Sequence, residues 1–343
     1  MPVYRPTGPS FAFSVAPMME VTDAHFRALA RLLSREALLY SEMIPAAALV
    51  RGDPARASSG ELGPVALQLG GSDPSELARA AEIGVQLGYS EIDLNVGCPS
   101  PRVAAGRFGA CLMAEPELVA DCVRAMAEAG LPVTVKHRLG TDPQSGPAAL
   151  LAFVQAVAAA GAARVTVHAR KADLGLTPRQ NREIPPLRYD WVHALARQVP
   201  LPVVLNGGLG GLEQALSQRG SVAGVMLGRA CRDQPFLLAS VDAAFFGGSP
   251  GPTRRQAARA YLGYLEAGLS RGLTLPRLVR PLLGLFAGQP GGARFRRTLG
   301  ESYRPGLGPA LVELALRDLP DSVLDAPPAI PAVPWISRAA APA

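Results

Sequence analysis

Over roughly 230 residues the chain repeats one pattern: a short run of alternating apolar and polar positions, then a longer stretch with apolar residues at helical spacing. The alternating runs begin at Phe13 (FSVAPMM), Leu38 (LLYSEM), Pro64 (PVALQLG), Glu91 (EIDLNVG), Val133 (VTVKHR), Arg164 (RVTVHA), Val203 (VVLNGG) and Gly224 (GVMLGRA). Between them lie Ala- and Leu-rich segments, among them 75–87, 116–129, 148–160 and 212–218. Such β-then-α repetition predicts a (β/α)8 TIM barrel. A doubly wound open sheet is the rival, but no G-x-G-x-x-G opens a helix after the first run.

The β rhythm stops after FFGGSPGPT (Phe245–Thr253). From Arg254 to Leu319 the periodicity is helical, clearest in AARAYLGYLEAGL and LVRPLLGLFAG. The expected organisation is a barrel over 1–245, a linker over 246–253 and a small all-helical domain over 254–322. A Pro/Ala-rich tail, 323–343, is expected to be disordered.

Composition narrows the setting. Of 343 residues 48% are hydrophobic, enough for a large core, yet no apolar run reaches membrane-spanning length. The N-terminus, MPVYRPTGPSFAF, lacks a signal pattern, so a cytoplasmic protein is expected. Cys98, Cys111, Cys122 and Cys231 show no paired metal spacing and predict no disulfide framework. His25, His137, His168 and His193 form no i, i+4 pair, so no metal is expected.

Charge is unevenly spread. The net charge is +6, but residues 251–305 hold ten arginines against Glu266 and Glu301. That excess suggests a polyanionic partner; a solvated face in an arginine-rich chain is the plainer reading. Lysine occurs only at 136 and 171. With guanidinium used almost everywhere, an ammonium at a strand end invites a chemical reason.

TIM barrels carry their active sites at the C-terminal ends of the strands. Those ends present Pro17, Met18 and Met19; Glu42 and Met43; Gln68; Asn95 with Cys98; Lys136 with Arg138; His168 with Arg170; Asn206, Gly207 and Gly208; and Gly228 with Arg229. Glycines after the last two strands let backbone approach an anion, which points to a phosphorylated cofactor. Lys136 is open to three readings: Schiff-base nucleophile, flavin partner or ion-pair member. Cys98 sits between Gly97 and Pro99 at a strand mouth, where a thiol can act as acid or nucleophile.

These stretches, with APMMEVTDAHFR, GRFGACLMAEPELVADCV and HARKADLGLTPRQNREIPPL, resemble the tRNA-dihydrouridine synthase family along almost the whole barrel. The resemblance implies an FMN enzyme that takes electrons from NADPH and reduces the C5–C6 bond of tRNA uridines, at position 20 or 20a of the D-loop. It implies Cys98 as proton donor. Pro17, Met18, Met19, Gln68, Lys136, His168, Asn206, Gly207, Gly208, Gly228 and Arg229 fall at its FMN-binding positions. Asn95 and Arg170 fall where the uracil is contacted, Arg179 and Arg182 in a tRNA-touching loop. Arg296 and Arg297, in ARFRR, match a C-terminal tRNA-contacting stretch whose aromatic is Phe295 rather than the usual tryptophan. A monomer is expected. The rival readings are a dihydroorotate-dehydrogenase-type flavoenzyme, a non-catalytic tRNA-binding protein and a Schiff-base aldolase.

Overall fold

Alternation alone explains how EIDLNV becomes a strand with two different faces. Ile92, Leu94 and Val96 lie fully buried in the layer between sheet and helices. Glu91, Asp93 and Asn95, at the intervening positions, point into the barrel, where their hydrogen-bond partners lie. Burying each large apolar side chain contributes about 1.5–3 kcal/mol, so a one-residue slip in register is strongly disfavoured.

In the computed structural model the eight expected runs each form a strand, and a ninth appears between the second and third. They are β1 (Phe13–Val15), β2 (Leu39–Tyr40), β3 (Ile44–Pro45), β4 (Val65–Gly70), β5 (Glu91–Val96), β6 (Val133–His137), β7 (Arg164–His168), β8 (Val203–Asn206) and β9 (Gly224–Leu227). Two-residue β3 pairs with the end of β4 and is too short to show alternation. Every pairing is parallel, in the order β1-β9-β8-β7-β6-β5-β4-β2. A Ser14–Leu38 bridge closes the ring, with the Val15 N–H donating to Leu38 O at 2.9 Å. The fold is a TIM barrel. The structure describes residues 10–57, 63–141, 144, 146–304, 306–332 and 335. Most of the N-terminal stretch read for a signal pattern, and the end of the expected tail, lie outside them.

Two apolar layers result. A large one joins the sheet to its helices, while a small one inside the barrel comprises Ala16, Leu38, Tyr40, Ala66, Val204 and Met226. The rest of the interior is polar. At the N-terminal end Arg164 is ion-paired with Glu91, and Tyr40 Oη donates to Glu91 Oε1 at 3.2 Å. The Arg164 guanidinium lies 4.8 Å from the centroid of the Phe11 ring, which packs against the small interior cluster. A buried charge needs such a partner, because leaving one side unpaired costs several kcal/mol.

The C-terminal portion is helical. Its first helix, Arg254–Ser270, opens on a capping box in which Thr253 and Gln256 satisfy each other's backbone N–H groups. LVRPLLGLFAG does not form one helix: Leu275–Val279 is α-helical and Arg280–Gly284 continues as a 3-10 turn. Pro281 supplies no N–H there and breaks the α-helical ladder. Tyr261 Oη donates to Leu278 O at 2.9 Å and joins two of these helices, while His25 Nδ1 meets Tyr264 Oη at 2.8 Å and Arg280 pairs with Asp23 at 2.6 Å, fixing them to the barrel. Within the expected tail, Val323 and Leu324 are buried, and Trp335 stacks on Phe245 with centroids 5.4 Å apart.

Candidate active site

At the C-terminal mouth of the barrel is a cavity of about 750 Å³. Pro17, Met18 and Met19 line it from the turn after β1, Gln68 from β4, and Asn95 and Cys98 from β5 and the turn beyond. Lys136 lies one residue before the end of β6 and His168 ends β7; Asn206 ends β8, with Gly207 and Gly208 just beyond, and Gly228 and Arg229 follow β9. Arg182 reaches in from the loop after β7. Parallel strands with a shared register bring residues scattered over 200 positions to one cup.

The remaining expected residues lie elsewhere. Arg170 is at the neck of the 169–188 loop and donates to Pro185 O. Arg179 is exposed and forms a 3.4 Å pair with Glu183. Arg296 and Arg297 are exposed on the helix Gly292–Leu299, away from the cup. Phe295 of the same helix is fully buried, its ring centroid 4.6 Å from that of Phe286.

The turn carrying Cys98 is held from several sides. Asn95 Oδ1 accepts the backbone N–H of Gly97 at 3.1 Å and of Cys98 at 3.0 Å. The Ala110 N–H donates to Cys98 O at 2.9 Å. Arg138 Nε donates to Gly97 O at 3.0 Å, while its Nη1 donates to Lys171 O and Asn181 O, each at 3.1 Å. One guanidinium therefore ties the cysteine turn to the long loop after β7. Reading strand ends did not give Arg138 a role, although it stands two residues beyond Lys136, the spacing that recurs on one strand face. Met43, which the sequence places at a strand end, also lines the cavity, as do Met226 and Arg232, which carried no strong sequence signal.

The deeper wall is a polar network. Gln68 Nε2 donates to Asp93 Oδ2 at 2.7 Å, Thr134 Oγ1 donates to Asp93 Oδ1 at 2.8 Å, and Asn95 Nδ2 donates to Gln68 Oε1 at 2.9 Å. Across the cup Lys136 Nζ donates to Asn206 Oδ1 at 3.0 Å, and Asn206 Nδ2 donates to Met226 O at 2.8 Å. Burial raises Asp93 to about 7 despite its two hydrogen bonds. Burial lowers Lys136 to about 8, opposed by the Asp93 carboxylate. Burial, reinforced by Arg138 and Lys136, pushes His168 well below the usual imidazole range, so it is neutral at physiological pH.

The glycines after β8 leave room for a ligand. Gly207 (φ +102°) and Gly208 (φ +73°) adopt conformations that L side chains rarely reach. A Cβ on Gly207 would sit 2.4 Å from His168 Cδ2, and one on Gly208 would sit 2.4 Å from Leu187 Cδ1. Lys136 makes one hydrogen bond among the described residues, leaving two N–H groups for the cup. Glycine walls, an ammonium and Arg229 suit an anionic, partly aromatic ligand. Among the described residues no three His, Cys, Asp or Glu side chains gather as a metal site, and no helix is long and apolar enough to cross a membrane.

A parallel barrel whose mouth collects a thiol, a buried ammonium, a neutral imidazole and flexible glycines is a TIM-barrel enzyme. Residues 14–317 match the family model described as dihydrouridine synthase (Dus). A Xanthomonas campestris protein named tRNA-dihydrouridine(20/20a) synthase is 53% identical over 89% of this chain and 93% of its own length. Relatives of the same name from Synechocystis sp. and Shewanella oneidensis are 50% and 48% identical, over 89% and 90% of this chain and 93% of each relative. The chain belongs to the dihydrouridine synthase family. A solved structure titled "Morphinone reductase" superposes with a TM-score of 0.49 at 11% identity, covering 72% of this chain and 88% of that one. At that distance the likeness does not bear on function.

Proposed function

We propose that the protein is an FMN-dependent, NADPH-consuming tRNA-dihydrouridine synthase that reduces uridines 20 and 20a of the D-loop, acting as a monomer in the cytoplasm. The observation that carries this reading is the position of Cys98, fixed by Asn95, Ala110 and Arg138 at the rim of a cup whose opposite side is glycine and arginine. Family membership and the names of the relatives support the substrate.

The cup's donor set fits FMN. Gly207, Gly208, Gly228 and Arg229 would take the phosphate; Lys136, Gln68, Asn206 and His168 would meet the polar edge of the ring; Pro17, Met18 and Met19 would cover its apolar part. The chemistry that bound FMN supplies is two-electron hydride transfer to C6, renewed by NADPH. Cys98 then gives its proton to C5, so the base gains one hydride and one proton. Asn95 holds the thiol's turn and offers its remaining N–H to the uracil. Arg170 acts on the base through the 169–188 loop that it anchors, rather than by lining the cup. Arg179, Arg182, Arg296 and Arg297 offer charge to phosphates, and such contacts weaken as salt rises.

Much of the C-terminal arginine excess is matched by acidic residues. Arg259 pairs with Glu313 at 3.4 Å, Arg294 with Asp318 at 3.3 Å, and Arg255 with Asp325 at 2.8 Å. Arg296 and Arg297 form no ion pair among the described residues, which makes them the stronger phosphate contacts. The function is tested by mapping dihydrouridine in tRNA from a strain lacking the gene. Loss confined to positions 20 and 20a is expected; unchanged modification there overturns the proposal.

A further inference from the structure

Asp93 is fully buried, does not line the cup and has no part in the chemistry described above. Yet it begins a chain of hydrogen bonds that ends at the thiol's turn. Its Oδ2 accepts from Gln68 Nε2, Gln68 Oε1 accepts from Asn95 Nδ2, and Asn95 Oδ1 accepts from the backbone N–H groups of Gly97 and Cys98. Each link fixes the next. A reversed Gln68 amide would press its oxygen against the Asp93 carboxylate and its NH₂ against that of Asn95. A reversed Asn95 amide would face two backbone donors with a third. Burial makes such mismatches costly, because water is not there to repair them.

We propose that Asp93 is a positioning residue: its side-chain acceptor anchors a Gln68–Asn95 amide relay that sets the polarity of the cup wall and seats the Cys98 turn. The relay has a consequence for recognition. Both lone pairs of Asn95 Oδ1 are occupied and one Nδ2 hydrogen is committed to Gln68, so Asn95 presents one N–H and no acceptor. Whatever group of a base meets it must be an acceptor, which in a uracil is a carbonyl oxygen. This role rests on the proposed function only in assigning Cys98 its chemistry; the relay itself is a property of the fold.

Relay and charge are separable by substitution. Asp93→Asn removes the charge but keeps an oxygen for Gln68, with its new NH₂ directed to the Thr134 hydroxyl. Gln68→Met keeps the charge and cuts the relay. Asp93→Leu removes both. The measurement is the rate at which iodoacetamide alkylates Cys98 in the tRNA-free protein, read by mass spectrometry with Cys111 as internal reference. The protein is kept saturated with FMN, because Gln68 also meets the ring, and above about pH 8, where Asp93 is ionised. Gln68→Met and Asp93→Leu are expected to alkylate about fivefold faster or more, the lower end of losing a buried hydrogen bond. Asp93→Asn is expected to stay within about twofold of the parent protein.

Acceleration in Asp93→Asn matching that in Gln68→Met would show that charge governs the turn and overturn the relay. Parent-like labelling of Gln68→Met, or of a folded Asp93→Leu, would also overturn it. If Asp93→Leu does not fold, the other two variants decide the matter. Alkylation needs neither tRNA nor turnover. A parent protein that fails to reduce tRNA therefore sinks the proposed function while leaving this comparison intact.

Discussion

Replacing Gly207 by alanine puts the smallest possible side chain into space already taken by the His168 ring. Its φ of +102° is unfavourable for an L residue, and the new Cβ would lie 2.4 Å from His168 Cδ2 and 2.7 Å from His168 Nε2. The backbone strain alone costs about 1–3 kcal/mol. If the peptide keeps its place, the imidazole must leave the cup. If the imidazole keeps its place, the β8 turn must move, and the glycine wall moves with it. Either response reaches the ligand side. At about 1.4 kcal/mol per factor of ten, FMN affinity should fall at least about tenfold. The melting temperature should also fall, by about 1–4 °C. Fluorescence quenching of FMN titrated with apoprotein gives the first number and a thermal melt the second. A Gly207→Ala protein with parent affinity and parent melting temperature would refute the close approach of the β8 turn to His168.

Lys136 gives a pH signature. Its ammonium, lowered by burial to about 8 in the ligand-free protein, is lost as pH rises through that value. An anionic ligand prefers the protonated form, so FMN affinity should be flat below about pH 8 and fall by up to tenfold per unit above it. Lys136→Met should abolish that limb, and a parent profile flat to pH 9.5 would contradict the assignment. On the helical portion, Arg296→Ala with Arg297→Ala should weaken tRNA binding and reduce the slope of log affinity against log salt by about 1–2, measured by filter binding. FMN content should not change; an unchanged slope would mean that the phosphates are met elsewhere.

The barrel was legible because its strands bury one face against helices and turn the other toward the axis. In EIDLNV and VTVKHR that alternation is local and survives without knowledge of neighbours. What local pattern could not supply was pairing. Gln68 and Asp93 meet only because β4 and β5 lie in a particular register, so the relay was invisible while its end points, Asn95 and Cys98, stood out. The same limit explains the arginines: Arg259, Arg294 and Arg255 meet Glu313, Asp318 and Asp325, acids that lie beyond the segment whose charge was counted. The helix expected through LVRPLLGLFAG ends at Val279, where tertiary packing accepts a 3-10 turn that apolar spacing alone does not distinguish.

The central claim is that Cys98 protonates a uridine reduced in this cup. Its most direct test is single-turnover reduction of unmodified tRNA by the FMN-loaded, NADPH-reduced protein, with dihydrouridine counted by mass spectrometry. The account predicts that Cys98→Ala keeps its FMN and accepts electrons from NADPH at the parent rate, yet forms dihydrouridine at least about 10²-fold more slowly. Dihydrouridine formed by Cys98→Ala at the parent rate would contradict it.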